Sequence, residues 1–311
     1  MKIATRKSLL ALWQSEFVKA KLQEIEPSLN IELLELSTKG DVILDTPLAK
    51  IGGKNLFIKE LENAMHDGLA QISVHSLKDV GASLAYDFKL ASICKRETPN
   101  DVVVFRGNEK SLNELKQGAK IGTTSLRRQM QLRLIRDDFS IHSLRGNLQT
   151  RLKKLKDGEF DAIVLAYAGL KRLNLLDELN YEILDTKIMI PSAGQGAVAI
   201  ESINDEKVLN LVSKLNCPKT ALLCKIERDF TATLNGGCGA PIGINAAFID
   251  DEIICVNAII GLIDASKIIK MQRKINQANA SDFGVVLAKE FIKHGALEIL
   301  AENEELLKEM L

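Results

Sequence analysis

The groups in this chain best suited to chemistry are one aspartate, one cysteine and a set of arginines. Asp79 closes the run Val74-His75-Ser76-Leu77-Lys78-Asp79, directly after a β-rich stretch at Ile72–His75. A carboxylate there can stabilise a developing cation, accept a hydrogen bond from an N–H group and move a proton. Its plainer use is an exposed ion pair with Lys78, which contributes little. Cys238 stands in Gly236-Gly237-Cys238-Gly239, a setting that leaves a thiol unobstructed on a flexible loop. A thiolate is a competent nucleophile toward an electrophilic methylene. Cys94, Cys224 and Cys255 read instead as small apolar core residues.

Nine of the twelve arginines lie between Arg96 and Arg172. Guanidinium grips carboxylate and phosphate in a bidentate fork, so an arginine-rich middle third suggests an anionic ligand, against the plainer reading of a solvated surface. Arg6 and Ser8 follow the first predicted strand. Thr123-Thr124-Ser125 opens a helix, whose N-terminal amides form an anion site. Arg127 and Arg128 occupy that helix's first turn, where cations oppose the dipole, so a compensating anion is expected there. Arg145 ends another strand, with Arg151 about a turn and a half into the next helix. Capping or surface charge explains any one of these groups; together they outline a basic cleft.

The elements that must hold these groups alternate strand and helix. Strands are predicted at Lys2–Thr5, Ile31–Leu36, Ile72–His75, Asp101–Phe105, Lys120–Gly122, Ser140–Leu144 and Ala162–Leu165. Helices are predicted after Ser8, near Lys59–Gly68, Ser111–Gln117, Ser125–Arg136 and Asn147–Lys156. This pattern implies mainly parallel sheets with helices on both faces, and ligands at the C-terminal strand ends. The last third changes style. A helix at Lys219–Leu234 is followed by strands near Ile242–Phe248, Glu252–Ile260 and Ser266–Gln272, and then by two helices, as in a separate α+β domain.

Composition excludes several classes. The 41 basic and 41 acidic residues balance, and one tryptophan and three tyrosines offer no stacking platform, which argues against nucleic acid. Ile253 to Ile263 is about half a membrane span and is interrupted by Asn257, so no membrane association is expected. The basic N-terminus lacks the pattern of a signal peptide. Five cysteines without a Cys-x-x-Cys pair suit a reduced, cytoplasmic protein, and the four histidines show no metal-ligand spacing with them.

Eight motifs in order resemble the signatures of the porphobilinogen deaminase (hydroxymethylbilane synthase) family. They are Ile3-Ala4-Thr5-Arg6-Lys7-Ser8; Gly52-Gly53-Lys54-Asn55-Leu56-Phe57-Ile58-Lys59-Glu60-Leu61-Glu62; Val74 to Asp79; and Gly122-Thr123-Thr124-Ser125-Leu126-Arg127-Arg128. Leu144-Arg145-Gly146-Asn147, Ala168-Gly169-Leu170-Lys171-Arg172-Leu173, Gly194-Gln195-Gly196-Ala197 and Leu234-Asn235-Gly236-Gly237-Cys238 complete the series, so the match spans about residues 3 to 245. Gly81, where the family usually has proline, and Cys217 before Pro218 depart from its pattern.

The resemblance implies an enzyme that condenses four porphobilinogen molecules head to tail, releases ammonia at each step and hydrolyses the chain to hydroxymethylbilane. It implies a covalent dipyrromethane cofactor held by a thioether to Cys238, with Asp79 as acid/base. Lys78, Ser125, Arg127, Arg128 and Arg151 are then expected to hold the cofactor's carboxylates. Arg6, Ser8, Arg145 and Arg172 are expected to hold substrate and the lengthening chain, with Phe57 and Lys59 on a loop covering the cleft and Gln195 on a hinge. The implied fold is α/β: two domains of the type II periplasmic-binding-protein kind with a cleft between them, plus a small C-terminal α+β domain. The expected boundaries are 1–97 with 196–215, 98–195 and 216–311. A monomer without bound metal is expected. The alternative in the residues themselves is a non-catalytic module that binds a small anion on the same two-domain scaffold.

Overall fold

The computed structural model describes residues 1–38, 58–81, 84–236 and 240–309. The chain forms two compact units, Met1–Glu97 with Gly194–Ala221, and Thr98–Ala193 with Leu222–Leu311.

The first unit is built on a five-stranded sheet ordered β2-β1-β3-β10-β4. Its strands are β1 (Lys2–Arg6), β2 (Glu32–Leu36), β3 (Ile72–Ser76), β4 (Lys89–Ile93) and β10 (Val198–Ser202). β1 runs parallel to β2 and β3, while β10 is antiparallel to β3 and β4. Ile3, Ala4 and Thr5 are all buried, as expected for a strand covered on both faces. One face packs on α1 (Leu9–Ile25) and α6 (Glu206–Ser213), through Val18, Leu22 and Val212. The other packs on α2 (Lys59–His66), through Leu61 and Met65 against Ala4. Ser8 caps α1, its Oγ accepting from the Ala11 amide at 3.4 Å.

The second unit begins with a sheet of matching topology, β7-β6-β8-β5-β9. The parallel trio β6 (Lys120–Gly122), β7 (Ser140–His142) and β8 (Ala162–Ala166) is continued on the β8 side by β5 (Asp101–Phe105) and then β9 (Asn180–Ile183). In both sheets the strand that follows the passage from one unit to the other, β10 or β5, enters antiparallel to the core. Both sheets are therefore mixed rather than mainly parallel, within an α/β arrangement. The helices here are α3 (Leu126–Ile135), α4 (Leu148–Lys156) and the short α5 (Tyr167–Arg172); Ser111–Gln117, expected to be helical, forms only a 3-10 turn at Leu112–Glu114.

The same unit carries the α+β region. α7 (Pro218–Thr233) precedes the antiparallel meander β11 (Ile242–Phe248), β12 (Ile253–Gly261) and β13 (Ile268–Asn276), closed by α8 (Phe283–Lys293) and α9 (Ala296–Glu309). Its core centres on Phe230 and Phe291, packed edge to face with centroids 5.0 Å apart. Gly284 lets α8 approach α7: a β-carbon there would lie 2.2 Å from the Ile226 carbonyl oxygen. Met130, Ile190 and Ile259 join this region to the preceding sheet, and Arg133 donates to the Ile263 carbonyl at 3.1 Å.

Candidate active site

In the first unit, parallel β1 and β3 bring their C-terminal ends to one edge of the sheet, which places Arg6 and Ser8 beside Ser76 and Asp79. These four residues line a cavity of about 70 Å³ together with Gln14 and His75. Gln14 Nε2 donates to Ser76 Oγ at 2.9 Å, tying α1 to the end of β3. The 3-10 turn Leu77–Asp79 then presents a half-buried Asp79. The turn is fixed from below: the Leu77 amide donates to the Ala197 carbonyl at 3.0 Å, and the Leu77 side chain is fully buried. Lys78 Nζ donates to Gln195 Oε1 at 3.4 Å, and Arg96 Nε donates to the Gln195 carbonyl at 2.7 Å. Gln195 is itself 1% exposed, so it braces the turn that carries Lys78 and Asp79. Lys59 opens α2 with an exposed side chain. Phe57 and Cys238 lie outside the described residues.

In the second unit, the parallel strands β6, β7 and β8 likewise end on one edge. The segments that follow them carry Ser125, Arg145 and Arg172 respectively. Ser125 is the N-cap of α3, yet its hydroxyl takes no part in a capping bond; Thr123 Oγ1 instead accepts from the Ser125 amide at 3.2 Å. Arg145 and Arg172 are half-buried. Asn147 caps α4 through its own side chain, and Arg151 Nε, in that helix, donates to the Gly146 carbonyl at 2.8 Å.

Arg127 and Arg128 are placed differently from the expectation of open ligand-binding groups. They are 2% and 6% exposed, and both guanidiniums converge on the fully buried Asp101 of β5. Arg127 Nη1 lies 2.7 Å from Asp101 Oδ2, and Arg128 reaches Oδ1 through Nη2 at 2.6 Å and Nε at 3.0 Å. Ser192 Oγ accepts from Arg127 Nε at 3.0 Å, and the carbonyls of Ile190 and Val164 take further guanidinium bonds. Burial alone would raise the Asp101 carboxyl; the two guanidiniums outweigh it and hold the group well below the usual carboxylate range. The anion that compensates these helix-start cations is thus internal. Asp101 carried no signal in the sequence beyond its place in a valine-rich strand.

Of the arginines not expected to bind ligand, Arg96 supports Gln195, Arg106 pairs with Asp161, Arg133 holds Ile263, and Arg136 pairs with Asp138. Residues that the sequence did not single out are Gln14, Ser73 and Glu201, which surround the Asp79 segment. A glutamate directly after the apolar run Val198-Ala199-Ile200 was the available signal for the last of these.

Residues 1–210 match the family described as "Porphobilinogen deaminase, dipyromethane cofactor binding domain", and residues 221–293 match "Porphobilinogen deaminase, C-terminal domain". Proteins named porphobilinogen deaminase from Campylobacter curvus and Campylobacter lari are 50% and 52% identical to this chain over 307 and 306 residues. These alignments cover 98% of this chain in each case, and 98% and 99% of the respective relatives. Among solved structures, the BvgS VFT2 domain of Bordetella pertussis is similar at a TM-score of 0.43 and 12% identity, over 69% of this chain and 85% of that domain.

Proposed function

Because the chain belongs to the porphobilinogen deaminase family, we propose that it condenses four porphobilinogen molecules head to tail with loss of ammonia and hydrolyses the product to hydroxymethylbilane. The observation that carries this reading is the placement of Asp79 at the end of β3, in one cavity with Arg6 and Ser8. The small-anion-binding alternative loses its support, since the family match continues through the C-terminal region that a two-domain binding scaffold does not need.

The residues present suit a dipyrromethane. Its two acetates and two propionates call for several cations and hydroxyls. Ser125 offers a hydroxyl uncommitted to its own helix, while Arg145, Arg151 and Arg172 offer half-buried guanidiniums. When bound, the cofactor supplies the pyrrole α-carbon on which the chain is built. In our reading Cys238 holds it by a thioether, and Lys78, Ser125 and Arg151 grip its carboxylates. Arg127 and Arg128 contribute the edges of their guanidiniums that Asp101 leaves over. Arg6, Ser8, Arg145 and Arg172 orient substrate and product carboxylates, Phe57 and Lys59 cover them, and Gln195 steadies the turn carrying Asp79.

Asp79 has two tasks. As ammonia leaves the aminomethyl group, the carboxylate balances the positive charge spreading over the incoming pyrrole and accepts its N–H. It then receives the proton released from the α-carbon as the ring regains aromaticity. Half-burial suits both, strengthening the electrostatics while leaving the carboxylate open to the cavity.

The proposal includes a division at 1–97 with 196–215, 98–195 and 216–311, and a cytoplasmic monomer. The four described cysteines are free thiols, which suits a reducing compartment. The test is the intact mass of the purified protein beside its Cys238→Ser variant. The parent is expected to carry an excess of two linked pyrrole units that the variant lacks. Equal, unmodified masses that persist after incubation with porphobilinogen would contradict the reading.

A further inference from the structure

Behind the Asp79 cavity lies a buried cluster that the proposed chemistry has not yet used. Ser73 and His75 point to the same face of β3, and Glu201 stands directly across from Ser73 on β10. Glu201 Oε2 accepts from Ser73 Oγ at 3.0 Å and lies 2.9 Å from His75 Nε2, which is also 2.7 Å from Ser73 Oγ. A carboxylate only accepts, so Nε2 carries the hydrogen and Nδ1 is left as the ring's proton-exchanging nitrogen. His75 is 6% exposed and Glu201 is fully buried, and His75 is among the residues lining the cavity that Asp79 also lines.

A second carboxyl beside the cluster is that of Glu62 of α2, which is 2% exposed. Neighbouring buried carboxyls disfavour each other's ionised form. Burial, chiefly, together with the neighbouring Glu201 charge raises Glu62, against the opposing Ala85 amide, which donates to Glu62 Oε1 at 3.0 Å. Glu201 Oε1 is buried and has no hydrogen-bond partner among the described residues.

We propose that His75, anchored by Glu201 and Ser73, is a positioning residue that relays the proton collected by Asp79 out of the site. The inference rests on the assignment of Asp79 as acid/base. At each coupling a C–C bond forms between the methylene of one pyrrole and the α-carbon of the next. The C–N bond breaks with its electron pair leaving on ammonia, and the α-carbon's C–H pair returns to the ring. The substrate's ammonium departs as ammonia without needing a proton, so the one proton to clear is that of the α-carbon. Asp79 must lose it before the next unit arrives. The cavity of about 70 Å³, walled by Arg6, Ser8, Gln14 and Ser76 and lined by both Asp79 and His75, has room for a few waters to bridge the two. The charged and titratable groups around the imidazole are Glu201 on β10, Glu62 on α2, Arg6 at the end of β1 and Asp79 in the 3-10 turn. The carboxylate behind the ring stabilises the imidazolium that forms, and exchange with solvent then resets it.

The test compares cofactor-loaded parent, His75→Gln and Glu201→Gln across pH. Glutamine keeps a donor toward Glu201 but cannot take a proton. The relay predicts that His75→Gln keeps its attached cofactor by mass and a KM within about twofold of the parent, while kcat falls about tenfold to a hundredfold. It also predicts that the acid limb of kcat disappears, because the limb records His75 becoming protonated and unable to accept. Removing the Glu201 charge makes the imidazolium less favourable, so Glu201→Gln moves that limb to lower pH by about one unit. A His75→Gln enzyme with kcat within about twofold of the parent overturns the relay, as does a fall in kcat and melting temperature with an unchanged pH profile. Should His75→Gln fail to fold, an unmoved acid limb in Glu201→Gln overturns it equally. Asp79→Asn separates the two readings: full turnover there removes the parent assignment, whereas its loss beside a normal His75→Gln removes the relay alone.

Discussion

Gly194 lies so close to Leu77 that a β-carbon at position 194 would stand 2.7 Å from Leu77 Cγ, and its φ of +71° already favours glycine. Leu77 begins the turn that carries Lys78 and Asp79 and is fully buried, so it cannot yield toward solvent. Gly194→Ala is expected to cost about 1–3 kcal/mol of stability, from overpacking and left-handed strain together. It should also lower kcat more than Asp79-remote substitutions of equal destabilisation. Chemical denaturation beside steady-state turnover at a temperature where the variant is folded will show both.

The buried Arg127–Asp101–Arg128 triad gives a second prediction. Asp101→Ala leaves two guanidiniums without their anion and is expected to cost about 3–5 kcal/mol. The sign of its pH dependence follows from the lowered Asp101 carboxyl. Its stabilising contribution is present above the unfolded-state carboxylate value, about 3.9, and fades as pH falls below it toward the lower folded value. Acid unfolding of Asp101→Asn should accordingly be less steep below about pH 4 than that of the parent.

Glu62 behaves in the opposite sense. Its carboxyl is raised in the folded state, so its contribution is complete below the unfolded value, about 4.3, and is lost as pH rises through the folded value. Glu62→Gln removes that ionisation while keeping a donor for Glu201. Its melting temperature relative to the parent should therefore climb as pH is raised from 5 to 9, read by thermal unfolding at several pH values; a difference that is flat or falls with pH would count against the carboxyl pair.

Much of the fold was legible because burial on both faces writes itself into composition. Three consecutive valines marked β5, and Ile3, Ala4 and Thr5 marked β1. β4, β9 and β10 left weaker traces. Lys89, Asn180 and Glu201 interrupt their apolar pattern, and their antiparallel pairing depends on partners about 80 to 130 positions away. The candidate site divides in the same way. Arg6, Ser8 and Asp79 were placed by motif and strand end, and the structure brings them into one cavity. That Arg127 and Arg128 converge on Asp101 depends on a contact across 26 and 27 positions, which one sequence does not display.

In the proposed mechanism the Asp79 carboxylate drives each coupling. The most direct measurement is single-turnover formation of hydroxymethylbilane by Asp79→Ala, with its mass and thermal unfolding recorded on the same sample. The account predicts a folded protein that still carries its attached cofactor and has turnover reduced at least about a thousandfold, as for loss of a principal acid/base and electrostatic group. A folded, cofactor-bearing variant with near-normal turnover would contradict it.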